Sequence, residues 1–123
     1  MKHYNKDIGT YGENLALKHL TNKGYKILEM NYRSKYGEID IISFYNNLIV
    51  FVEVKSRYTN SFGLPMESVT YSKQKQIIKL SSYYVFKKKL NNFNIRYDVI
   101  EVLFNKLNNS LYINHIEDAF RCY

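Results

Sequence analysis

Two apolar runs in this chain each carry a carboxylate where a core residue would be expected. Residues 37–44, from Gly37 to Phe44, are rich in β-branched side chains, and so are residues 48–55, from Leu48 to Lys55. Asn46 and Asn47 stand between them. Asparagine tolerates a left-handed backbone, so the pair fits a two-residue hairpin turn. With that turn Tyr45 opposes Leu48, Asp40 opposes Glu53, and Glu38 opposes Lys55. Side chains alternate across a strand, so these four charged groups share one face. Directly opposed Cβ atoms lie about 4.5–5.5 Å apart, close enough for two carboxylates to repel strongly. Val50, Val52 and Val54 on the other face imply a buried strand, which sharpens the repulsion. A hard cation with oxygen ligands, Mg²⁺ or Mn²⁺, would relieve it, and Lys55 adds a second positive charge.

A plainer reading has Lys55 neutralising Glu38 and Glu53 in a structural network, since charge pairs are common and prove little. Against it, the charges interrupt the otherwise apolar run Val50 to Lys55, and buried carboxylates in such places mark sites more often than not. Glu13, read alone, is a solvated helical glutamate near the border of an apolar face. His3, His19 and His115 are scattered without metal-ligand spacing and read as ordinary surface or core residues. Neither glycine-rich phosphate-binding pattern occurs. The one cysteine, Cys122, allows no internal disulfide and stands too near the chain end to hold catalytic geometry.

The elements that must position these groups follow from periodicity. Asp7 to Asn22 reads as a helix capped by Asp7, with Tyr11, Leu15, Ala16 and Leu20 at helical spacing and Gly24 as its stop. Tyr25 to Tyr32 reads as a strand, followed by the hairpin. Tyr58 to Glu67, carrying Gly63 and Pro65, reads as a loop. Tyr71 to Leu90 is expected to be a long helix capped by Ser72, with Ile77, Leu80, Ser81 and Tyr84 on one face. Ile95 to Phe104 is a strand, Asn105 to Ser110 a polar turn, and Leu111 to His115 a short last strand. The order is α, β, β, β, α, β, β in a single α/β domain spanning residues 1–123. The third strand, the long helix and the fourth strand form a right-handed parallel crossover.

Composition sets the class. Apolar residues make up 46% of 123, enough for a core. No stretch approaches the roughly 20 apolar residues of a membrane helix, and no signal-like run opens the chain, so a soluble, cytoplasmic protein is expected. The net charge of +7 points to acidic partners. Its placement is uneven. From Ser68 to Tyr97 there are seven basic residues and no acidic one.

Taken together, these residues resemble the YraN-like family of small uncharacterised bacterial proteins. The resemblance rests first on Gly37-Glu38-Ile39-Asp40 followed by Phe51-Val52-Glu53-Val54-Lys55-Ser56-Arg57. Gly12-Glu13, Ala16, Gly24-Tyr25, Asn31-Tyr32-Arg33, the segment from Gly63 to Val69, Lys73 and Arg96-Tyr97-Asp98-Val99-Ile100 agree with it. That family is similar to the restriction-endonuclease-like superfamily, with its PD-(D/E)xK motif, and within it to Holliday-junction resolvases. Ile39 stands where the motif has proline. The resemblance implies an α-β-β-β-α-β core with a mixed sheet flanked by helices. It assigns Asp40, Glu53 and Lys55 to the motif positions and Glu13 to the helical glutamate of the resolvase-like branch.

The implied activity is metal-dependent phosphodiester hydrolysis on nucleic acid, DNA rather than RNA. Asp40 and Glu53 would bind Mg²⁺ or Mn²⁺ with the carbonyl of Val54, Glu13 would assist, and Lys55 would orient water or offset charge. Glu38 would tune Lys55 across the strands. Arg57, Lys73, Lys75 and Lys79 would contact phosphates, giving steep salt dependence and little base specificity. Tyr58 and Tyr71 are candidates to stack on bases, while most tyrosines fill the core. The alternative is a non-catalytic module of the same fold that recruits DNA or RNA for a partner. A homodimer, common among resolvase-like proteins, would match a two-strand substrate.

Overall fold

The computed structural model describes residues 2–59 and 69–122. The elements run α1 (Lys2–Asn22), β1 (Lys26–Ser34), β2 (Gly37–Tyr45), β3 (Leu48–Thr59), α2 (Tyr71–Lys87), β4 (Asn94–Asn105) and β5 (Ser110–Phe120). The strands form one sheet in the order β1-β2-β3-β4-β5. Only β3 and β4 pair in parallel, across α2, and the other neighbours are antiparallel. This is an α/β architecture with a mixed sheet and two helices, compatible with the α-β-β-β-α-β core expected from the sequence. No helix of the described residues is long and apolar enough to cross a membrane.

Two cores lie on the two faces of the sheet. On one, α1 lays Ala16 and Leu20 against Ile41, Val50, Val52, Ile100 and Val102. On the other, α2 lays Ile77, Leu80 and Tyr84 against Ile42, Ile49, Phe51 and Val99. Strand β3 is apolar on both faces because it is covered on both, as parallel-paired strands usually are. Its alternation assigns Val50 and Val52 to the α1 side and Ile49 and Phe51 to the α2 side. The interruption at Glu53 therefore falls on the α2 side.

The hairpin turn is as read. Asn46 and Asn47 have φ of 51° and 62°, and Tyr45 pairs with Leu48. Gly24, at φ 94°, ends α1 in a left-handed turn in which Tyr25 N–H donates to Leu20 C=O at 3.0 Å.

Several boundaries differ. Helix α1 begins at Lys2, so Asp7 lies inside it rather than at its cap. Helix α2 is capped by Thr70, not Ser72: the Thr70 hydroxyl accepts from Lys73 N–H at 3.2 Å. It ends at Lys87, because Lys89 turns left-handed at φ 57° and Leu90 N–H closes on Val85 C=O. Strand β3 runs on to Thr59, through Tyr58. The expected loop with Gly63 and Pro65 lies outside the described residues. Strand β5 continues past His115 to Phe120, where the Asp98 carboxylate accepts from Asp118 N–H at 3.0 Å and ties the segment to β4.

Candidate active site at the end of the hairpin ladder

The β2–β3 ladder follows the expected register from Tyr45↔Leu48 to Ile41↔Val52 and then stops. Asp40 is therefore not a ladder partner of Glu53. Its carboxylate instead accepts from Val54 N–H at 2.8 Å. The two acids still lie close, since Glu53 is the strongest charge acting on the Asp40 carboxyl. The strand is offset at this point. Alternation would put Ile39 and Ile41 on one side, yet Ile39 packs in the α2 core and Ile41 in the α1 core. On the neighbouring strand Asn31 has φ 52°, between Met30 on the α1 side and Tyr32 on the α2 side. Both strands thus turn over where the acids gather.

Burial, followed by repulsion from Glu53, pushes the Asp40 carboxyl up to about 8, against the opposing pull of the Val54 N–H. The Glu53 side chain is 11% exposed and has the Lys73 ammonium of α2 at 3.9 Å. Lys55 follows Glu53 by one side-chain period on the same face. Glu13 reaches the cluster from α1. Its carboxyl is raised by burial first, then by Asp40 and, more weakly, Glu38. The Asn31 amide, with its nitrogen toward the acids, donates to Glu13 Oε1 and Glu38 Oε1, both at 3.0 Å. Glu13, Glu38, Asp40 and Glu53 therefore form one acidic locus, and Lys55 and Lys73 bring positive charge to its Glu53 side.

One other expected placement needs correction. The ladder does not extend to Glu38 and Lys55, so Glu38 is not across from the lysine it was to tune. It faces Arg33 at 3.4 Å and Asn31. Arg57 pairs with Glu101 at 3.2 Å, with its side chain 31% exposed. Lys75 and Lys79 are exposed on the outer side of α2. Among the described residues no three Asp, Glu, His or Cys side chains close into a ready-made metal cage.

Two features escaped the sequence reading. Glu101, its side chain only 3% exposed, pairs in register with Lys55. It interrupts the apolar run of β4 just as Glu53 interrupts that of β3, and that was the available signal. The second is a polar chain on the α1 side. Asp98 is fully buried and accepts from Arg96 Nε and Nη2, both at 2.8 Å. His115 Nε2 lies 2.8 Å from Asp98, and His115 Nδ1 lies 3.2 Å from His19 Nε2. The two histidines are thus neither scattered nor solitary. Burial would raise the Asp98 carboxyl, but the hydrogen bonds from His115, Arg96 and Asp118 N–H outweigh it and hold it below its ordinary value.

A mixed-sheet α/β domain with half-buried acids beside a lysine at one strand end is the class that fold and site define. Residues 12–102 match the profile of the family described as uncharacterised protein family UPF0102. A UPF0102 protein of Clostridium botulinum (strain Alaska E43 / Type E3) is 57% identical over 121 residues, covering 98% of this chain and 99% of its own. UPF0102 proteins of Clostridium perfringens (strain ATCC 13124) and Clostridium beijerinckii are 54% and 53% identical, each over 98% of this chain and at least 98% of their own. The chain belongs to the UPF0102, or YraN-like, family.

Proposed function

We propose that this chain is a metal-dependent phosphodiesterase acting on nucleic acid, a member of the restriction-endonuclease-like superfamily working in the cytoplasm. The observation that carries the reading is the half-buried Asp40 carboxyl facing the charge of Glu53, with Lys55 one side-chain period along the same strand as Glu53. Such a pair is costly in a fold that gains nothing else from it.

The donor set fits a hard divalent cation. Asp40 and Glu53 supply charged oxygens, the Val54 carbonyl lies between Glu53 and Lys55 in the chain, and Glu13 adds a carboxylate from α1. Mg²⁺ keeps several waters and is commonly held by one or two carboxylates, so a closed protein cage is not required. When bound, the ion supplies Lewis-acid stabilisation of phosphoryl oxygens and a water of lowered pKa. The chain's own residues do the remainder. Asp40 must give up its proton to bind, and its contact with Val54 N–H holds the carboxylate in place as it does. Lys55 orients the attacking water or offsets charge developing on the phosphate. Lys73, already beside Glu53, can turn to a phosphate once that carboxylate is engaged.

The test is cleavage of labelled single-stranded, duplex, flap and four-way-junction DNAs with Mg²⁺ or Mn²⁺. Wild type should cut in a metal-dependent way, while Glu53→Gln and Lys55→Ala should each lose at least about a hundredfold in rate, the scale of removing one positioned catalytic group. Salt-sensitive binding without cleavage on any substrate would replace this reading with a non-catalytic recruitment module.

A further inference from the structure

The outer side of α2 has a pattern that the acidic site does not use. Tyr71, Lys75, Lys79, Tyr83 and Lys87 follow one another at intervals of four residues, which aligns them in a slowly winding stripe about 24 Å long. Tyr71 and Tyr83 are 73% and 42% exposed, and Phe86 beside them is 77% exposed. The Lys75 ammonium lies 5.3 Å from the Tyr71 ring centroid, and that of Lys87 lies 5.7 Å from Tyr83. Tyr36, from the turn between β1 and β2, leans onto the stripe. Lys79 stands 4.5 Å from its ring centre, and its ring is 6.4 Å from that of Tyr83.

Lysine-rich helix faces are common and by themselves read as solvated, so the rings and the neighbouring acidic site are what set this one apart. Here Ser68 to Tyr97 contains no carboxylate, and among the described residues none forms an ion pair with Lys75, Lys79 or Lys87. Among the described residues their favourable contacts are aromatic rings, which leave their charge available to a polyanion. Exposed rings interleaved with unneutralised lysines match one ligand chemistry, a chain of phosphates bearing flat, unpaired bases. Duplex DNA does not, because its base faces are already stacked and it could use only the lysines. The stripe begins at the end of α2 whose first turn carries Lys73, the residue in contact with Glu53.

We infer that the Tyr71–Lys87 stripe with Tyr36 is a stacking platform for single-stranded nucleic acid, which leads a strand toward the acidic site. The inference rests on the hydrolase reading for its purpose but not for its binding.

The experiment measures binding of the full chain in EDTA, where no cleavage occurs. Three fluorescein-labelled probes are compared by anisotropy: an oligothymidylate, an abasic oligomer with the same number of phosphates, and a duplex of the same length. The oligothymidylate should bind at least about fivefold more tightly than the abasic oligomer, the lower bound for one stacked base. The chain has no tryptophan, so tyrosine emission is directly readable, and it should be quenched by the oligothymidylate alone. The double variant Tyr71→Leu, Tyr83→Leu, at two exposed positions, should erase the preference. Equal affinity for the abasic probe, or tighter binding of the duplex, overturns the inference. That comparison needs only wild type, so a misfolded variant cannot obscure it. Base-dependent binding in a protein that cuts nothing would leave the platform standing and sink only the hydrolase reading.

Discussion

A carboxyl held near pH 8 costs stability at neutral pH when no cation is bound. Asp40 has a folded-state value of about 8 against an ordinary 3.8. Between those values the folded chain keeps a proton that the unfolded chain releases. Stability from this group is therefore greatest in acid and is lost as pH rises toward 8. Asp40→Asn keeps an acceptor for Val54 N–H and removes the ionisation. In EDTA at pH 8 the variant should melt above wild type, by an amount on the order of a few kcal/mol of stability, and the gap should close toward pH 4. Added Mg²⁺ should raise the wild-type melting temperature and leave the variant unchanged. A variant less stable than wild type at pH 8 would mean that Asp40 is not strained. Asp40, Glu53 and Lys55 were legible because charges that break an apolar strand stand out against its alternation. Glu101 obeys the same rule and was overlooked. The approach of Glu13 to Asp40 was not readable from spacing, since it depends on how α1 crosses the sheet.

The elements were legible where one local rule decided them. The Asn46–Asn47 turn fixed the β2–β3 register, and four-residue spacing found the buried side of α2. What local rules could not show was the point where the ladder stops, which coincides with the left-handed Asn31 backbone of a neighbouring strand. Glycine in α1 is a further case of tertiary control. Gly12 lies mid-helix, where alanine would ordinarily stabilise by about 1 kcal/mol. A Cβ there would fall 1.7 Å from Ser56 Oγ and 2.7 Å from Ser56 Cβ. Gly12→Ala should therefore destabilise by about 1–3 kcal/mol, the usual cost of overpacking. Ser56→Gly in the same chain should recover most of that loss. Chemical denaturation of the single and double variants checks it. A neutral Gly12→Ala would mean that α1 can move off β3, and with it Glu13 off the acidic site.

At the scale of the molecule, His19 and His115 join α1 to β5 across a sequence separation that no local pattern spans. They do so over Asp98 of β4, and the groups around them are Lys23, Tyr25, Arg96 and Glu117. Tyr25 stacks on Tyr45 with ring centres 4.1 Å apart and accepts from Arg96 at 2.7 Å, so the hairpin end is tied in as well. Burial first, then His115 and Lys23, push the His19 imidazole below its ordinary 6.5. As pH falls from about 6.5 the unfolded chain takes up a proton that folded His19 refuses. Stability is therefore lost in that direction, opposite in sign to the Asp40 effect. In wild type the two slopes oppose each other below 6.5, and Asp40→Asn should uncover the His19 limb as a melting temperature that falls with acidification. Adding His19→Gln should flatten that limb, and His19→Gln alone should leave Mg²⁺ binding intact, since His19 contacts His115 and not the acids of the site. If the limb survives without His19, the acid sensitivity belongs to another group, and the clasp between α1 and β5 does not depend on a neutral imidazole.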